Sequence, residues 1–132
     1  MTRFLAPIPL LIAASFALGD DLLAVPSGQA VSLIDVIQNE PGPDGMAVRF
    51  RFLAPAIARD GGTVTADVAD ADMQFLCDAY ALDRIANTGP QPQQIIISLL
   101  DRPVPFGETV PDATQFMQSY SIVDGACAWD VF

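Results

Sequence analysis

Apolar and charged residues alternate through Val48-Arg49-Phe50-Arg51-Phe52, and a period of two marks a strand with one face buried and the other turned away. That strand carries both arginines on the same side. Residues 66–81 contain neither Pro nor Gly and follow Thr65, a residue type suited to capping a helix N-terminus. At helical spacing Ala69, Met73, Leu76, Cys77 and Tyr80 share one face, while Asp67, Asp70, Gln74 and Asp78 share another. One amphipathic helix over about residues 65–81 is therefore expected, with Cys77 directed into the core. Acids in its early turns suit the positive end of the helix dipole. Asp72 falls towards the apolar side, where it is expected to pair with an Arg or to lie at the rim.

Turn signals divide the rest of the chain into strands. Pro26-Ser27-Gly28 and Pro41-Gly42-Pro43-Asp44-Gly45 bracket Val31–Gln38, an apolar-rich segment whose pattern fits either a strand or a short helix opened by Ser32-Leu33-Ile34-Asp35. The turn after it favours a hairpin with the strand at Val48. Pro55 ends that strand, and Asp60-Gly61-Gly62 forms a further loop. Ile95-Ile96-Ile97, within Gln94 to Leu100, reads as a central strand. Arg102-Pro103-Val104-Pro105-Phe106-Gly107 is a connection, because each Pro removes a ladder donor. Gln115–Val123 and Ala126–Val131 flank Asp124-Gly125, a dipeptide preferred in two-residue hairpins. The expected architecture is α+β: a mostly antiparallel sheet of five or six strands with one main helix packed on it.

The first residues have a different character. Arg3 is the only charge before Asp20, and residues 4–16 form an apolar run interrupted by Pro7 and Pro9. This is the length of a signal h-region and too short for a bilayer span, which needs roughly 20 apolar residues. Ala17-Leu18-Gly19 supplies small residues for a signal peptidase, so residues 1–19 are read as a signal peptide cleaved near Gly19/Asp20, leaving 20–132 as a single α+β domain. No Cys follows the run to take a lipid, so no stable membrane anchor is expected and the location is periplasmic or secreted. Export changes the meaning of the two cysteines, Cys77 and Cys127. An even pair in a small exported domain is most simply a disulfide, and their spacing has none of the C-x-x-C character of a redox pair.

Composition narrows the chemistry by exclusion. Sixteen Asp+Glu against six Lys+Arg give a formal charge of -10 in 132 residues, which opposes binding to nucleic acid. The chain has no His, and all of its cations are Arg. Imidazole metal ligands, Ser-His-Asp catalysis and lysine Schiff bases are thereby absent, and no glycine-rich phosphate loop occurs. No cofactor and no metal site are expected. The acids at positions 67, 70, 72 and 78 lack the Gly and terminal Glu of a calcium loop and read as a solvated helix face. Arg49 and Arg51 are a candidate two-pronged anion site; the competing expectation is cross-strand pairing with acids such as Asp35 or Glu40. Trp129 and Phe132 allow an exposed recognition patch, although aromatic residues on a last strand are more often core.

Val25-Pro26-Ser27-Gly28, Arg49-Phe50-Arg51-Phe52-Leu53-Ala54-Pro55, Phe106-Gly107 with Ala113-Thr114-Gln115, and Asp124-Gly125-Ala126-Cys127-Ala128-Trp129 occur in this order. Together they resemble a family of small exported alphaproteobacterial proteins of unknown function. Some relatives carry an acetolactate synthase label, which this chain is too short to support and whose glycine-rich thiamine diphosphate motif it lacks. The resemblance implies no catalytic residue.

The expected function is that of a non-catalytic, acidic interaction or binding module of the cell envelope, with a basic envelope protein as the fitting partner. The alternatives are a small carboxylate-dependent hydrolase, which requires two facing carboxylates, and an anion-binding module built on Arg49 and Arg51.

Overall fold

The structure, a computed structural model, describes residues 22–42, 45–85 and 91–130. The signal peptide and cleavage site expected within residues 1–20 lie outside the described residues, as does Phe132. Strands β1 (Ser32–Gly42) and β2 (Gly45–Leu53) pair antiparallel. The segment from Val31 is thus strand, and the short helix that its first residues also allowed does not form. Its register steps by one extra residue between Leu33 and Asp35 and again between Ile37 and Glu40. Each bulge breaks the two-residue alternation, so periodicity alone did not reveal the strand.

After β2 the chain makes a 3-10 turn at Pro55–Ile57 and closes a tight loop. Gly62 is required there: a Cβ would sit 2.1 Å from the Ala58 carbonyl oxygen. Helix α1 follows, regular over Ala66–Phe75, π-helical over Leu76–Ala81 and ending in the turn Leu82–Ile85. The Thr65 side chain caps it, accepting from the Val68 N–H as its residue type suggests. The helix outruns the expected end at residue 81 because Ile85 is buried and Arg84 both bonds the Tyr80 carbonyl and lies over the Tyr80 ring, 3.4 Å from its centroid.

Strands β3 (Gln94–Leu100), β4 (Gln115–Val123) and β5 (Ala126–Trp129) complete a five-stranded sheet in the order β1-β2-β3-β4-β5. The β2–β3 pair is parallel and the other three pairs are antiparallel. A parallel neighbour needs a crossover, and helix α1 supplies it. Asp124 (φ 52°) and Gly125 (φ 77°) make the β4–β5 turn with both central residues left-handed, the geometry that suits the right-handed strand twist.

Val48, Phe50 and Phe52 of β2 and Ile95, Ile97 and Leu99 of β3 meet Ala69, Met73, Leu76 and Cys77 of the helix in one core. Tyr80 stands edge-on to Phe50 and Phe52, with ring centroids 6.2 and 5.6 Å away. The Cys77–Cys127 disulfide links helix to β5 across 50 residues, with Cα atoms 6.2 Å apart. Among the described residues, no helix is long and apolar enough to cross a membrane.

Candidate functional site

The face of the sheet away from α1 carries the charged side chains of β2. Arg49 forks Glu40 through Nε and Nη2, at 2.8 and 2.7 Å, and reaches Ser98 Oγ through Nη1 at 2.8 Å. Arg51 is 4% exposed; its Nε bonds Asp35 at 2.9 Å, and both of its terminal nitrogens donate to the Val104 carbonyl. The sequence-predicted pair is therefore brought together, with each guanidinium already facing a carboxylate across the β1–β2 ladder. Bulges in β1 place Asp35 and Glu40 at these registers.

The connection 101–114 folds over part of this face. Asp101 is buried and holds the two ends of the loop: its N–H donates to the Thr114 carbonyl at 3.0 Å, and its Oδ1 accepts from the Thr114 N–H at 2.8 Å. Burial pushes the Asp101 carboxyl up, but hydrogen bonds from Arg102 and the Thr114 N–H, with the charge of Arg102, outweigh it and leave the group below its ordinary value. Phe106 of this loop lies 5.7 Å from the Arg49 guanidinium carbon and 5.6 Å from that of Arg51, so one ring covers both cations.

Beyond Arg49 a hollow of about 380 Å³ is lined by Glu40, Gly42, Ile96, Met117, Ser119 and Asp130, among others. Two carboxylates share it, the minimum for glycosidase-type chemistry. Both are occupied by donors: Glu40 by Arg49, and Asp130 by Gln94 Nε2, Ser119 Oγ and Ser121 Oγ at 2.8, 3.1 and 2.6 Å. The Asp130 network was missed from sequence. Its one signal was the spacing of Ser119 and Ser121, alternate positions of a strand facing a polar neighbour.

On the helix side, β5 bears a second arrangement. Trp129 is 57% exposed, the outcome the sequence reading disfavoured. Its indole Nε1 donates to Gln118 Oε1 at 2.5 Å, and Gln118 Nε2 donates to Asp70 Oδ1 at 3.2 Å. A groove of about 250 Å³ runs between them, lined by Asp70, Ala71, Gln74, Gln118, Tyr120 and Trp129. Burial pushes the Tyr120 hydroxyl well above the usual tyrosine range, and the negative charges of Asp70 and Asp78 add to the effect. Asp67, Asp70 and Asp78 are exposed along the helix, as its face pattern predicts.

Asp72, by contrast, is fully buried and meets no Arg. It accepts from the Ser27 N–H at 2.8 Å, the Ser27 hydroxyl at 2.5 Å and Gln29 Nε2 at 2.7 Å, anchoring the Pro26-Ser27 turn to the helix. The expected arginine partner is absent because Arg49 and Arg51 lie on the other side of the sheet. No group of three or more metal-ligating side chains occurs among the described residues.

A family model described as a family of unknown function (DUF6497) matches residues 10–132. The chain belongs to this family. Membership in DUF6497 carries no assigned reaction, and it spans every element described above. No curated protein and no solved structure matches the chain.

Proposed function

We propose that this DUF6497 member is an exported, non-catalytic binding domain that presents a negatively charged helix to a cationic protein partner. The distribution of charge carries this reading. Arg49, Arg51 and Arg102 are committed to Glu40, Asp35 and Asp101, and Arg84 lies on Tyr80. Asp67, Asp70 and Asp78 are left exposed on α1, in no ion pair among the described residues. A field of one sign steers an oppositely charged partner and rejects like-charged ones. The disulfide supports the exported part of the reading, since such bonds persist in oxidising compartments.

The test is expression of the full chain in a bacterium with a periplasm, followed by intact mass measurement and binding of the purified protein to polyarginine resin. The expected product begins at Asp20, is lighter by the two hydrogens of a disulfide, stays on the resin at low salt and leaves it as salt screens the charges. A retained starting Met with free thiols overturns export; failure to bind at low salt overturns the interaction reading.

A further inference from the structure

We propose that the groove between α1 and β5 is the recognition site for an arginine side chain of the basic partner, with Trp129 as the stacking platform and Asp70 as the counter-charge. This inference rests on the reading of the protein as an acidic binding domain and assigns that reading a place.

Trp129 is large, exposed and yet held. Its indole edge is fixed by Gln118, which Asp70 fixes in turn, so the ring is oriented before anything binds. Rigid tryptophans of this kind carry a disproportionate share of binding energy at protein interfaces, because ordering them costs little on association. The groove's size selects the occupant: at about 250 Å³ it lies below the roughly 300–1,000 Å³ of typical small-molecule sites and suits one side chain.

Its chemistry narrows the choice further. An indole face attracts a cation, and the Asp70 carboxylate lies in the same groove, where among the described residues its one hydrogen bond comes from the neutral Gln118. Among the described residues the Tyr120 hydroxyl, also lining the groove, makes no hydrogen bond and is available to one. A guanidinium meets all three features at once: it is planar for stacking, charged for Asp70, and rich in N–H donors for the Tyr120 oxygen. An ammonium offers a point charge without the stacking plane.

Trp129 is the single tryptophan of the chain, so its fluorescence reports this groove alone. The experiment titrates the purified protein with a blocked tetra-arginine peptide, using fluorescence and calorimetry, with tetralysine and tetraglutamine peptides as comparisons. Saturable binding of tetra-arginine with a change in Trp129 emission is expected, weaker binding of tetralysine, and none of tetraglutamine. Asp70→Asn and Trp129→Leu are each expected to weaken tetra-arginine binding about fivefold by calorimetry, whereas Asp60→Asn, an exposed acid in the loop before α1, leaves it unchanged. Equal losses in Asp70→Asn and Asp60→Asn, or none in Trp129→Leu, overturn the groove while leaving the acidic-domain reading intact. Equal affinity for tetralysine overturns the guanidinium assignment. Wild-type protein that binds neither cationic peptide at low salt overturns both readings.

Discussion

The backbone N–H of Cys127 donates to the Asp78 carboxylate at 2.8 Å, one position along α1 from Cys77, to which Cys127 is covalently bonded. Gln74 Nε2 donates to the Cys127 carbonyl at 2.8 Å, so both backbone groups of this residue are bonded by side chains of the helix. β5 is the last strand of the sheet, and at Cys127 its backbone groups are taken by the helix and not open to pairing with another chain. Asp78→Ala is expected to destabilise the fold by about 1–2 kcal/mol, because it strips the partner from a part-buried N–H. Asp78→Asn, which keeps an acceptor oxygen, should recover most of that loss. Urea denaturation of the two variants checks both statements.

The disulfide closes a 50-residue loop, for which the chain-entropy model gives on the order of 4 kcal/mol. Replacing both cysteines with Ala should therefore lower the urea midpoint strongly. A reducing agent should lower the midpoint of the native protein to a similar extent and leave the double variant unaffected.

Asp72 ties the Ser27 turn to the helix and is wholly buried. Asp72→Ala removes one acceptor from three donors and should cost about 2–4 kcal/mol. Hydrogen exchange at the Ser27 amide is the direct readout: its protection should fall in this variant while that of the β3 amides follows global stability.

Asp101 gives the stability an acid-side dependence. Its carboxyl lies below its ordinary value of 3.8 in the folded chain. A group whose folded value is depressed stabilises the fold above its unfolded value, and the contribution fades as pH falls through the folded one. Stability should thus decline on acidification from about pH 5, with a smaller slope in Asp101→Asn. Measuring unfolding free energy against pH in the two proteins tests the assignment.

Arg49 is expected to bind small anions only after Glu40 is removed, because Glu40 fills the fork that an anion would use. Inorganic phosphate titrated into the native protein should shift no Arg49 side-chain resonance, and Glu40→Gln should acquire a saturable shift. Arg49→Ala in that background should abolish it.

Where structure follows from neighbours along the chain, the residues announced it. Thr65 caps the helix, Gln94–Leu100 and Gln115–Val123 are strands over the expected residues, and Asp124-Gly125 turns the last hairpin. Each depends on backbone preference and on periodicity within a few positions. β1 resisted the same treatment because its two bulges answer to the register of β2.

The amino-acid order by itself determined the strand and helix signals, the excess of acid, and two cysteines suited to a bond. Only the folded chain decided that Arg49 and Arg51 are taken by Glu40 and Asp35, that Asp72 is buried against Ser27, and that Trp129 is displayed beside Asp70. The reason is physical: a side chain's partners are set by which distant strands lie together and in what register, and that choice is made by burying the shared apolar faces of β2, β3 and α1.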